Sequence, residues 1–140
     1  GHNAFFAAAF DGRITTAVSS CGTYPFVDLS QAFSWARKDP RNFIYIPRLR
    51  DYLICNKPAP FDLHEVMALI APRPFLNISA DEGIPKMGDM LNDMHQNLLK
   101  VYKLYNAEER LGWHFYDGPH DFPTESREIA YTWLDKWLKE

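Results

Sequence analysis

The chain has 140 residues, 46% hydrophobic and 15% aromatic, which is enough apolar material for a buried core in one domain or part of a larger one. Fifteen Lys and Arg stand against eighteen Asp and Glu, giving a formal charge of -3 with no clustered basic face, so nucleic acid is not an expected partner. The longest apolar run, Ala4 to Phe10, is too short to span a bilayer, and no charged-then-apolar leader is visible, so no membrane partner is expected.

Opening on Gly1 rather than Met marks a processed, excised or incomplete chain, and the compartment stays open. Alanine favours helix, and Phe6 and Phe10 share a face, so Ala4 to Phe10 reads as a helix. It is apolar nearly all round, which predicts burial on most sides. Asp11-Gly12 ends it. Ile14 to Cys21 is rich in β-branched residues and bounded by glycines, which predicts a strand buried on both faces, as in a parallel sheet. Cys21 and Cys55 show no metal spacing, and their pairing cannot be read from sequence.

Residues 22–61 differ. They carry Pro25, Pro40, Pro47, Pro58 and Pro60, many aromatics and no sustained period. Short helices are expected at Leu29 to Arg37 and near Arg48 to Ile54. The region reads as an excursion from the sheet, either covering a site or lying on the surface without touching one.

Asp62 to Ile70 reads as a short helix, with Asp62 as cap and Glu65 three residues on. His64-Glu65 opens like the zinc-protease pattern, but Ala68 stands where the second histidine belongs, so that reading fails. Ala71-Pro72-Arg73-Pro74 stops the helix. Phe75 to Ser79 is a second strand, followed by Ala80-Asp81-Glu82-Gly83. Acidic residues just beyond a strand's carboxyl end are where open α/β sheets carry function, although a helix cap or a solvated pair has the same spacing.

Apolar residues recur at three and four from Gly88 to Tyr105, the clearest long helix. Arg110 to Tyr116 is a third strand, in which Leu111, Trp113 and Phe115 alternate with Gly112, His114 and Tyr116. Asp117-Gly118-Pro119-His120-Asp121-Phe122-Pro123 then turns into a closing helix, Glu125 to Leu138. His120 on this turn is held by backbone on both sides, a good mount for a general base, or is only a polar turn residue.

Strands alternating with helices predict an α/β fold, a parallel sheet with helices on both faces. Three strands leave one edge unprotected, so a missing amino-terminal half or a second chain is expected to cover the first strand. An acid after the second strand and a histidine after the third is the acid-then-base order of an α/β-hydrolase, whose nucleophile comes earlier.

Four stretches carry a family resemblance. They are Ala7 to Ile14, Phe61 to Val66 with Ile70 to Leu76, Asp81-Glu82, and His120 to Pro123 with Ala130-Tyr131 and Trp133-Leu134. On these the chain resembles the carboxyl-terminal half of an α/β-hydrolase, within the dienelactone hydrolase, acetyl xylan esterase and prolyl-oligopeptidase-like group. Where that family has G-x-S-x-G, this chain opens Gly1-His2-Asn3-Ala4-Phe5, with asparagine at the serine place. In the favoured reading Gly1 is the last glycine of an elbow whose serine lies upstream. In the other, the elbow has degenerated and the chain is a non-catalytic binding or structural module.

The resemblance implies a serine-type carboxylic-ester hydrolase whose nucleophile is not in this chain. His120 takes the serine's proton, and an acid orients the imidazole. Asp81 is preferred because it directly follows the strand; Glu82 stays open. Ser19 and Ser20 follow the wrong strand to be the nucleophile. The resemblance also implies a small ester substrate, carbohydrate esters included, and chemistry that needs no metal or organic cofactor. Residues 1–140 are then part of one domain, with 22–61 an excursion over the site. The segment alone is expected to be inactive.

Overall fold

A computed structural model of the chain describes residues 1–25, 36, 46–55 and 57–139. Its elements are α1 (His2–Phe10), β1 (Ala17–Ser20), α2 (Leu49–Ile54), α3 (Leu63–Ala68), β2 (Phe75–Ala80), α4 (Met87–Leu104), a 3-10 turn (Glu108–Arg110), β3 (Leu111–Tyr116) and α5 (Thr124–Leu138). Two compact units divide the chain: Gly1–Thr23 with His64–Glu140, and Tyr24–Leu63. In the smaller unit Leu49 and Ala36 are buried, and the Arg50 Nε–H donates to the Ala36 carbonyl at 2.7 Å. The helix expected at Leu29 to Arg37 lies outside the described residues, apart from Ala36, which is helical. The one expected near Arg48 to Ile54 is α2.

The larger unit is built on a parallel sheet in the order β1-β2-β3. Every residue of the central β2 is buried, as a strand covered on both faces must be. One face carries Leu76 and Ile78, which pack with Ala130 of α5; Val18, Tyr116, Phe122, Ile129 and Trp133 close around them. The other face of β3 meets α4. Trp113 stacks on His95 with ring centroids 5.0 Å apart, and Phe115 lies against Gly88. The α4 stripe is Met87, Leu91, Met94, Leu98 and Tyr102, all buried at helical spacing. Helices therefore cover both faces, as expected.

Two expectations need correction. The first strand begins at Ala17, not Ile14. Its partner is preceded by Pro72 and Pro74, which have no N–H to donate, and pairing starts with the Ala17 N–H on the Pro74 carbonyl at 3.1 Å. The carbonyls upstream go instead to the Arg73 guanidinium, which reaches Ala8 at 2.7 Å, Asp11 at 3.1 Å and Ile14 at 2.7 Å. The second correction concerns α1, expected to be buried on most sides. Only Phe5 and Ala8 are buried, and Phe10 is 70% exposed. The helix packs on β1.

Candidate active site

All three strands run parallel, so their carboxyl ends fall at one end of the sheet. β1 ends there on Cys21, β2 on Asp81-Glu82 and β3 on the loop to His120. The start of α1 is brought to the same place by backbone contact. A Cβ on Gly1 would stand 2.5 Å from the Ser20 carbonyl oxygen, and one on Gly22 would stand 2.5 Å from the His2 nitrogen. Side chains at either position would push α1 off the end of β1.

The pairing of β2 with β3 continues beyond both strands. The Asp81 N–H donates to the Tyr116 carbonyl at 3.2 Å, and the Glu82 N–H donates to the Gly118 carbonyl at 3.1 Å. This fixes the acidic pair beside the histidine loop. The Tyr116 hydroxyl fastens the loop from within, donating to the Asp121 carbonyl at 2.5 Å. Burial, followed by its bond to Cys21, pushes the Tyr116 phenol up to about 12. Phe122 anchors the far end of the loop in the core.

The two acids do different things. The Asp81 carboxylate turns back on its own loop, accepting from the Gly83 N–H at 3.1 Å and the Gly118 N–H at 3.3 Å. The Gly83 bond is the chief cause that lowers its pKa, with Asp117 next. Asp117 in turn is raised by sharing a hydrogen bond with Asp81. Glu82 has φ +52, and Oε1 of its carboxylate lies 2.8 Å from His120 Nδ1. A left-handed non-glycine residue costs about 1 kcal/mol, a strain that tends to collect at functional sites. The carboxylate that reaches the imidazole is thus Glu82, the alternative in the sequence reading, and not the preferred Asp81.

A carboxylate accepts hydrogen bonds, so in a neutral imidazole this contact favours the proton on Nδ1 and the lone pair on Nε2. The His120 side chain is 61% exposed and Glu82 17%. The ring is reachable while its acid is held. His2 lies close enough for the two imidazoles to sense one another. Burial is the chief cause that lowers its pKa, and the neighbouring His120 acts in the same direction.

Two groups of this site carried no functional expectation in the sequence. Cys21, buried at φ +50, has its Sγ 3.3 Å from the Tyr116 hydroxyl and donates to the Asp121 carbonyl at 3.2 Å. Tyr116 is the other. Their signal was positional: each closes a strand on the site's end of the sheet. Ser19 is fully buried in β1. Among the described residues no helix is long and apolar enough to cross a membrane.

No protein-family model and no curated protein matches the chain. Solved structures do. A promiscuous CE15 esterase from a marine bacterial metagenome aligns over 97% of this chain and 39% of its own, at 20% identity and a TM-score of 0.74. A carbohydrate esterase family 15 glucuronoyl esterase from Caldicellulosiruptor kristjansonii covers 97% of this chain and 40% of its own, at 20% identity and TM-score 0.73. The glucuronoyl esterase catalytic domain from Hypocrea jecorina covers 98% and 41%, at 20% identity and TM-score 0.72. The chain thus spans about two-fifths of the length of these proteins and shares the fold of that portion. Its fold is that of part of an α/β-hydrolase.

Proposed function

We propose that this chain is the base-and-acid portion of a serine-type carboxylic-ester hydrolase acting on a carbohydrate ester. His120 is the general base and Glu82 its orienting acid. The observation that carries the reading is the 2.8 Å bond from His120 Nδ1 to Glu82 at the carboxyl end of a parallel sheet. A triad uses that geometry: the acid holds Nδ1–H, and Nε2 takes the proton of the attacking hydroxyl and later returns it to the leaving alcohol. The serine, and an oxyanion-hole N–H beside it, come from the part of the enzyme that this chain does not span. The exposed flank of α1 and the edge of β1, which pairs with no second strand among the described residues, are where that part docks. Asp81 shapes the loop.

The substrate class follows from the neighbours, several of which are glucuronoyl esterases. The test joins this chain to the amino-terminal portion of its α/β-hydrolase domain and offers a methyl uronate ester, an acetylated sugar and a simple aryl acetate. Turnover of either sugar ester, abolished by His120→Ala, is the expected result. The preferred sugar ester distinguishes a uronate pocket from an acetyl pocket. Absence of turnover of all three, or activity untouched by His120→Ala, would show a binding or structural module instead.

A further inference from the structure

We propose that Cys21, Glu82 and His120 form a binding site for a thiophilic divalent cation, specifically zinc. One residue comes from the end of each strand. Cys21 Sγ, a Glu82 carboxylate oxygen and a His120 ring nitrogen all lie within 4.8 Å of one another. Thiolate, carboxylate and imidazole are the three donor types that zinc takes. Bonds of about 2.0–2.3 Å set tetrahedral ligands roughly 3.3–3.8 Å apart, so the donors need to close by about 1 Å. His120 can make that movement, because its ring is exposed and Nδ1 is engaged by Glu82. Cys21 and Glu82 are the fixed side, each held at a left-handed backbone position.

Three protein ligands leave a fourth position open to water, on the side where His120 faces solvent. The Tyr116 hydroxyl, 3.3 Å from Sγ, can turn its proton onto a thiolate and orient it for the metal. Binding balances simply. The Cys21 thiol proton leaves to solvent, the His120 proton passes through solvent from Nδ1 to Nε2 so that Nδ1 coordinates by its lone pair, and the His120–Glu82 hydrogen bond is exchanged for two metal bonds. Affinity must therefore weaken as pH falls. A zinc-bound imidazole cannot serve as a base, so the cation inhibits the esterase. That consequence rests on the function proposed above; the binding does not.

Cobalt(II) reports the site without any assay of activity. The purified protein titrated with cobalt should develop a thiolate-to-cobalt charge-transfer band and tetrahedral visible bands at one equivalent. Zinc should erase them in competition with a chromophoric chelator. Cys21→Ser should abolish the band, and Cys55→Ser, at an exposed thiol elsewhere in the chain, should leave it. His120→Gln, a change at an exposed side chain that the fold tolerates, should weaken zinc binding by roughly a hundredfold. A wild-type protein without the charge-transfer band would overturn the proposal. So would a band that survives Cys21→Ser, or zinc affinity indifferent to His120→Gln.

Discussion

Arg73 is a single residue on which the architecture of this chain depends. Nη1 donates to the Ile14 and Asp11 carbonyls at 2.7 and 3.1 Å, and Nη2 donates to those of Ala8 at 2.7 Å and Leu69 at 3.4 Å. These are the end of α1, the turn into β1 and the end of α3. One guanidinium joins three pieces of backbone just where the sheet begins. A hydrogen bond to a charged group contributes ~1.5–3 kcal/mol, and a carbonyl stripped of its donor costs ~1–3 kcal/mol. Arg73 is half-buried, so water recovers some of that loss. Arg73→Ala should therefore destabilise by about 3–4 kcal/mol, a large share of a domain's stability. Arg73→Lys keeps the charge but presents one nitrogen for carbonyls that diverge, and should lose about 2 kcal/mol. The assay is urea unfolding, read as a shift in midpoint at constant slope. Lysine is the informative variant, because it keeps the protein folded enough to measure. An Arg73→Lys midpoint equal to wild type would mean that these carbonyls are served by water, and would refute the reasoning.

Three further outcomes are expected. Gly112→Ala places a Cβ 2.7 Å from Leu76 Cδ1 and 2.8 Å from Trp133 Cζ3, and should cost about 1–3 kcal/mol with a change in tryptophan fluorescence; an unshifted unfolding midpoint would show a looser core than this. Burial lowers the pKa of His95 below 6.5 and that of His2 to about 4, so the unfolded chain binds protons that the folded chain does not. Stability should fall as pH drops through that window, and His95→Gln should flatten part of the slope seen in urea midpoints; a profile flat in the wild type would contradict it. The 140-residue chain by itself should hydrolyse p-nitrophenyl acetate no faster than its His120→Ala variant, because Ser19 is sealed in β1; a clear excess titratable by a fluorophosphonate would disprove this.

The strands and long helices were legible from local pattern, the first strand from its β-branched residues. Period two marked Leu111 to Tyr116, and steps of three and four marked α4 and α5. The family stretches Ala7 to Ile14 and Ile70 to Leu76 were legible as separate motifs, but not as two halves of the Arg73 contact, since side-chain reach is invisible in a string. Asp81 against Glu82 was undecidable for a similar reason. Adjacency favoured Asp81, whereas the choice depends on a left-handed φ at Glu82 and on backbone donors that engage Asp81 first. Cys21 escaped notice because metal spacing was sought along the chain, while parallel strands bring residues together that are far apart in it. The apolar α1 was expected to be buried on most sides, yet its buried residues are Phe5 and Ala8 alone.

The central claim is that Glu82, not Asp81, holds His120 in the tautomer a triad requires. Two-bond proton–nitrogen correlation of the imidazole, in protein labelled at histidine, reads that tautomer directly. The wild type should show the His120 proton on Nδ1. Glu82→Gln should shift the population toward Nε2–H, and Asp81→Asn should leave it unchanged. A wild-type His120 protonated on Nε2, or a tautomer that follows Asp81 instead of Glu82, would contradict the assignment.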